Sequence, residues 1–162
     1  MKVLVFSDSH GSRSFMERCV QAVKPQAIFH LGDFYRDGEA LAAQFPDIPI
    51  YQVLGNCDGY SWDPSCQTIR LVQLDGVNFY LTHGHKHQVK SYLGRLLQDA
   101  RASGVDAVLY GHTHQADCHR EPDGLWVMNP GSSGEYGGSA GVIRIQNGSI
   151  ADMYLVYPRH LP

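Results

Sequence analysis

Asp8, His10, Asp33, Asn56, His83, His112 and His114 are residue types that bind metal ions, and each stands just behind a short apolar run. The five runs read VLVFSDSH, AIFHLGD, IYQVLGNCD, NFYLTHGH and AVLYGHTH. Carboxylate, imidazole and amide oxygen without a thiolate suit Mn²⁺, Fe²⁺ or Zn²⁺ in an open catalytic site, whereas a structural zinc knot favours cysteines. These seven candidate ligands exceed what one ion uses, so two ions sharing a bridging carboxylate are expected. Asp8-Ser9-His10 and His112-Thr113-His114 share an i, i+2 spacing, which in extended backbone turns both side chains to one face.

To gather such distant residues, the chain needs strands. Runs rich in Val, Ile, Leu, Phe and Tyr, closed by glycine and polar residues, read as buried strands. Ligands just past their ends converge along the carboxyl edge of a sheet, where open α/β folds place their sites. Between the first runs, Phe15, Cys19 and Val23 form one stripe of a helix stopped near Pro25, and EALAAQF forms a second helix ending before Pro46. Val89, Leu93, Leu96, Leu97 and Ala100 mark a third, ending near Gly104. The first two helices imply parallel strands joined by crossovers. Asp75-Gly76 and Asn147-Gly148 each separate two strand-like segments and predict hairpins. A mixed sheet, or two packed sheets, with helices outside follows.

The 162 residues suit one domain, 1–162, with no repeat or linker. A formal net charge of -3 gives no broad field for nucleic acid or a membrane surface. VLVF is too short for a signal peptide and no segment is long enough to span a bilayer, so a cytoplasmic location is expected. The four cysteines, Cys19, Cys57, Cys66 and Cys118, form no CxxC pair, which argues against a zinc knot or a disulfide framework.

The ordered motifs D-x-H, G-D, G-N-x-D, T-H-G-H and G-H-T-H, continuing to Asn129-Pro-Gly-Ser132, resemble those of the calcineurin-like metallophosphoesterase superfamily. The likeness is closest to its small, cap-less bacterial and archaeal phosphodiesterases. It implies a four-layer α/β/β/α sandwich of two mixed sheets flanked by helices. One divalent ion is then held by Asp8, His10, Asp33 and His114, the other by Asp33, Asn56, His83 and His112, with Asp33 bridging. Mn²⁺ is the first expectation for both, with Fe²⁺, Zn²⁺ and Ni²⁺ as alternatives. The implied reaction is metal-dependent hydrolysis of a small phosphate ester, most simply a diester, by in-line attack of a hydroxide bridging the two ions. Asp33, Asn56, Asp58 and His83 are the residues implied in catalysis, Asp58 by orienting its neighbours.

Two departures stand out. Many superfamily members carry G-N-H-[DE], with a histidine that protonates the leaving oxygen, but here the position is Cys57, as in the small phosphodiesterases. A thiol with a pKa of roughly 8.5 is a poor stand-in for an imidazole acid. Also, Asn129-Pro-Gly-Ser132 leads to Ser133, Gly134, Glu135 and Tyr136 rather than to a basic residue. A phosphomonoesterase with the same site is one alternative, and a homo-oligomer is compatible with an edge strand in the C-terminal hairpin. Another alternative is a protein-binding scaffold like the retromer subunit, which lacks part of the histidine set that His10, His83, His112 and His114 complete here.

Other residues divide between chemistry and plain structure. His85 is balanced between lining the site and an ordinary loop position, and His87 reads as a loop residue. His30, inside an apolar run, reads as a hydrogen-bonded core histidine, and His119 and His160 as solvent residues. Arg13 is either a phosphate contact at a helix start or a solvated charge. Gly131 is expected in a tight turn that supports the site. Tyr60, Trp62 and Tyr136 are candidates for an aromatic rim.

Overall fold

Runs that are apolar at every position make strands buried on both faces, and this rule organises the computed structural model, which describes residues 1–59 and 65–162. The first part holds β1 (Lys2–Phe6), α1 (Ser14–Val23), β2 (Ala27–His30), α2 (Tyr35–Gln44) and β3 (Ile50–Gln52). The second holds β4 (Ile69–Leu74), β5 (Val77–Thr82), α3 (Gly94–Ala102), β6 (Ala107–Leu109), β7 (Asp117–Arg120), β8 (Trp126–Asn129), β9 (Ala140–Gln146) and β10 (Ser149–Val156). They form two five-stranded sheets, ordered β10-β9-β1-β2-β3 and β4-β5-β6-β8-β7. In the first sheet, β1, β2 and β3 run parallel, with Val5 opposite Phe29 and Phe29 opposite Tyr51. In the second, β5, β6 and β8 run parallel, with Leu81 opposite Leu109 and Leu109 opposite Met128.

The alternation of side chains along each strand sorts the core into three layers. Val3, Val5, Phe29 and Leu31 meet Phe79, Leu81, Leu109 and Met128 between the sheets. Leu4, Phe6 and Ile28 point the other way, against Phe15, Met16, Cys19 and Val20 of α1 and Leu41 of α2. Tyr80, Val108 and Val127 likewise cover Leu96 and Ala100 of α3. The order is helix, sheet, sheet, helix, which is the four-layer sandwich expected above.

Several boundaries differ from the sequence reading. α2 starts at Tyr35, ahead of EALAAQF. α3 begins only at Gly94, after a turn at 88–91 that opens with Gln88 in a left-handed backbone (φ 55°). Val89 and Leu93 still pack in the same outer cluster, from the preceding turn. A third hairpin, β7–β8, turns at Asp123-Gly124 and is antiparallel. Its first strand is half-exposed and polar, so no apolar alternation announced it.

The consequence for function is positional. The five candidate ligand segments leave the carboxyl ends of β1, β2, β3, β5 and β6, all members of the parallel cores of the two sheets.

Phe29 and Phe79 meet edge to face across the sheets at 5.2 Å between ring centroids. Phe79→Ala is expected to lower the unfolding free energy by about 3–5 kcal/mol in urea titrations. Leu71→Ala, at a side chain 62% exposed, is expected to cost within about 0.5 kcal/mol. Equal costs for the two would contradict this assignment of the core.

Candidate metal centre

Two carboxylates organise the edge where these segments meet, and each divides its oxygens in the same way. Asp8 is fully buried. Its Oδ2 accepts hydrogen bonds from Ser7 Oγ at 2.6 Å and from the His112 backbone N–H at 3.1 Å. Its Oδ1 receives none, although His114 Nε2 lies 3.0 Å away, out of line for one. Asp33 Oδ1 accepts the Cys57 backbone N–H at 2.8 Å. Its Oδ2 faces His83 Nε2 at 3.4 Å and His10 Nε2 at 3.9 Å. One oxygen of each carboxylate is thus fastened to the protein and the other is turned to a cluster of imidazoles.

The imidazoles are set in complementary fashion. His83 Nδ1 lies 2.7 Å from the Leu31 carbonyl oxygen, which only accepts, so Nδ1 carries the proton and donates. Nε2 then faces the carboxylates, 3.7 Å from Asp8 Oδ1, buried and without a hydrogen-bond partner. His114 Nδ1 lies 2.9 Å from Glu135 Oε2, which fixes its Nε2 toward Asp8 in the same manner. His10 Nε2 stands 3.8 Å from Asp8 Oδ1. The His112 ring lies 5.1 Å from that of His83.

Protonation follows these surroundings. Burial pulls the His83 imidazole down, but Asp33 and Asp8 beside it outweigh burial and leave it above the usual histidine value. Burial raises the Asp33 carboxyl, yet the His83 ring and the Cys57 amide bring it well below the usual carboxylate range. Burial and the neighbouring His83 push His112 down to about 4, which keeps it neutral and ready to ligate at physiological pH.

Among the described residues, three sets bring one potential ligand atom each within 4.8 Å of one another: Asp8, His10 and His114; Asp8, Asp33 and His83; and His10, Asp33 and Cys57. Buried lone pairs that face one another without a donor between them are costly, and a cation resolves the cost. Asp8 Oδ1 and His83 Nε2 are such a pair, so the donor set fits divalent metal ions.

The backbone shows why these residues converge. Asp8, His10, Asp33, His112 and His114 all have positive φ, between 46° and 71°. The i, i+2 pairs therefore do not lie in extended backbone, as the spacing alone implied. They sit in left-handed bends that fold each ligand back toward the sheet edge. Gly55 and Gly111 permit the close approach: a Cβ on Gly111 would strike Ser7 Oγ, and one on Gly55 would strike the Asp33 carboxylate.

Asp58 accepts the backbone N–H groups of Asp33 (2.9 Å), Gly55 (2.7 Å) and Tyr35 (2.6 Å), and so clamps the β2 segment to the β3 segment. Asn56 is exposed at the rim, its Nδ2 3.6 Å from Cys57 Sγ. Asn129 Nδ2 donates to the Gly111 carbonyl and Thr113 Oγ1, Ser132 Oγ donates to the Asp8 carbonyl, and Gly131 holds φ 76°, so this turn braces both ligand loops. His85 stands at the centre's edge, 5.6 Å from His83 and 6.1 Å from His112 between ring centroids.

Other candidates lie away from the centre. His87 Nε2 bonds Tyr80 OH and Asp99, tying its turn to α3. His30 is fully buried and bonded to Ser9 Oγ (3.0 Å), and burial brings it down to about 4. His119 pairs with Asp117 and Glu121 on the β7 side, and His160 with the Tyr157 backbone. Arg13 is exposed at the start of α1. Tyr136 is 98% exposed beside Glu135, whereas Tyr60 and Trp62 fall outside the described residues.

Glu135, Ser7 and Asp37 are supporting residues that sequence reasoning did not single out. Asp37 accepts from Ser9 Oγ (2.7 Å) and the Gly11 N–H (2.8 Å), securing the loop that carries Asp8 and His10. No motif announces Asp37. Glu135 had one signal, its place three residues past the Asn129–Ser132 turn.

The chain belongs to the calcineurin-like phosphoesterase superfamily, whose domain matches residues 1–148. A probable metallophosphoesterase of Mycoplasma pneumoniae is 29% identical over 134 residues, covering 81% of this chain and 78% of that protein. A phosphodiesterase of Methanocaldococcus jannaschii is 28% identical over 151 residues, covering 81% and 83%. Among solved structures, a predicted phosphoesterase of Streptococcus pneumoniae superposes with a TM-score of 0.78 at 23% identity, covering 99% of this chain and 91% of that one. Vps29 of Entamoeba histolytica complexed with Zn²⁺ gives 0.70 at 20% identity, covering 97% and 99%. These two structures share the fold.

Glu135→Gln keeps the size of the side chain but weakens the acceptor opposite His114 Nδ1. Calorimetric titration of chelator-stripped protein is expected to show one ion bound about 10–100-fold more weakly, the other unchanged. Two unchanged affinities would remove Glu135 from the centre.

Proposed function

We propose that this chain is a phosphodiesterase that uses two divalent cations, Mn²⁺ first among them, to hydrolyse a small phosphate ester in the cytoplasm. The observation that carries the reading is the set of buried, unpartnered donors, Asp8 Oδ1 and His83 Nε2, facing one another at 3.7 Å. Family membership supplies the reaction class, and the Methanocaldococcus jannaschii relative carries the name phosphodiesterase.

Asp8, His10, Asp33 and His114 would hold one ion, and Asp33, Asn56, His83 and His112 the other. Such ions, when bound, supply Lewis acidity toward phosphoryl oxygens and an activated water as nucleophile. The protein's own part is positional. The Leu31 carbonyl keeps His83 in the tautomer whose Nε2 faces inward, and Glu135 does the same for His114. Asp58 holds the Asp33 and Gly55 backbones in register. Asn56 offers an amide donor at the exposed rim. A cleft of about 540 Å³, lined by Asn56, Gln67, Thr68, His85 and Lys86, gives the alcohol half of a diester room beside the centre.

Among the described residues no helix is long and apolar enough to cross a membrane.

Metal-stripped protein is expected to be inactive on an activated aryl phosphodiester and to recover on adding Mn²⁺. Asp8→Asn and His112→Ala should each bring that turnover to background. The matching monoester, assayed in parallel, separates diesterase from monoesterase. Retained metal-dependent turnover in either variant would refute the assigned ligands, and no turnover with any divalent metal or ester would favour a scaffold that uses the same fold.

A further inference from the structure

The reading of the edge as a metal centre uses carboxylates, imidazoles and an amide, and leaves Cys57 without a role. The structure brings this thiol into the cluster. Cys57 Sγ, one nitrogen of His10 and one carboxylate oxygen of Asp33 lie within 4.8 Å of one another. Its backbone N–H fixes Asp33 Oδ1 at 2.8 Å, and its Sγ lies 3.6 Å from Asn56 Nδ2. Cys57 is exposed while Asp33 and Asp8 are buried, so the sulfur stands on the open side of the centre. A second observation points to a cation beside the same histidine: buried Asp8 Oδ1, without a hydrogen bond, lies 3.8 Å from His10 Nε2.

We propose that Cys57 is a metal ligand, giving the ion position on the His10 side a sulfur donor beside Asp33 and His10. The inference rests on the cluster binding divalent cations at all. Binding releases the thiol proton to solvent and places the thiolate on the cation, with no change of oxidation state. Its chemical consequence is selectivity. A mixed sulfur, nitrogen and oxygen set favours borderline and soft cations, Zn²⁺, Co²⁺ and Cd²⁺, over Mg²⁺ and Mn²⁺. The two positions would then differ: one accepts hard and borderline ions alike, and the other prefers soft ones. The same coordination takes the sulfur away from the leaving group, so Cys57 would not serve as its acid.

Cobalt reports sulfur ligation directly, through an ultraviolet thiolate-to-metal charge-transfer band separate from the visible bands that any ligand set produces. The full chain, stripped of metal and titrated with Co²⁺, is expected to develop that band, and Cys57→Ser is expected to lose it while keeping its visible cobalt bands. Competition titrations should show Cd²⁺ binding weakened at least about tenfold in Cys57→Ser, with Mn²⁺ affinity held within about twofold. Bound cobalt without the band in the wild type, or a band that persists in Cys57→Ser, overturns the thiolate ligand alone. No cobalt bound in either protein overturns the metal centre with it. Far-ultraviolet circular dichroism of Cys57→Ser confirms that the variant being compared is folded.

Discussion

The arrangement at the sheet edge turns on one electrostatic conflict: two buried carboxylates and several imidazole nitrogens face each other across 3–4 Å with too few protons between them. Asp8 Oδ1 and His83 Nε2 have no hydrogen-bond partner and no access to water. Burying unpaired polar groups costs about 1–3 kcal/mol each in proteins, and more when they are charged. A folded chain tolerates this only where something else supplies the missing partner. Divalent cations would do so, because among the described residues the ligand atoms fall into overlapping groups of three, each within 4.8 Å of one another.

The rest of the molecule works to keep that conflict from relaxing. The outer oxygens of Asp8 and Asp33 are already occupied by Ser7, His112 and Cys57, so neither carboxylate can rotate to satisfy its free oxygen without breaking bonds it has. The Leu31 carbonyl prevents His83 from presenting its other nitrogen. Asp58 ties three backbone amides together behind Asp33, and the Asn129–Ser132 turn braces the loops bearing Asp8 and His112. Behind these bonds lie the two parallel strand cores, packed on each other and on three helices, which leave the strand ends no freedom to separate. The site's order is therefore inherited from the inter-sheet core.

What the chain declares in advance follows the strength of its local signals. β1, β2 and β5 are apolar at nearly every position, and their parallel pairing in layered sheets is readable from that pattern together with the intervening helices. The ligands are readable because each follows such a run. β7 is polar and half-exposed, and its hairpin rests on a single Asp-Gly, so nothing in periodicity sets it apart from a loop. α3 shows the opposite error. Val89 and Leu93 continue its apolar stripe and pack in its cluster, yet both lie in the turn and bend that precede the helix. Periodicity reports which side chains meet the core, and not which backbone carries them there. The supporting residues Asp37 and Glu135 were hard to see for a related reason: their partners, Ser9, Gly11 and His114, come from other loops and are defined only in three dimensions.

The left-handed bends explain why a centre of this kind sits at strand ends and not within the strands. A non-glycine residue at positive φ costs roughly 1–2 kcal/mol relative to ordinary backbone, and five of the metal-type residues adopt it. Within a sheet, alternation would send neighbouring side chains to opposite faces and bury their ligand atoms in separate apolar layers. A bend immediately after the strand instead returns the side chain over the sheet edge, where ligands from both sheets meet. That geometry is unfavourable in the isolated loop and is held by the core behind it and the backbone hydrogen bonds around it. An ion that binds the bent state and not the unfolded chain adds its binding free energy to folding, so ligand strain, core packing and metal affinity form one linked equilibrium. Among these three, the core is the member that exists before any ion arrives, which is why the site can be preformed.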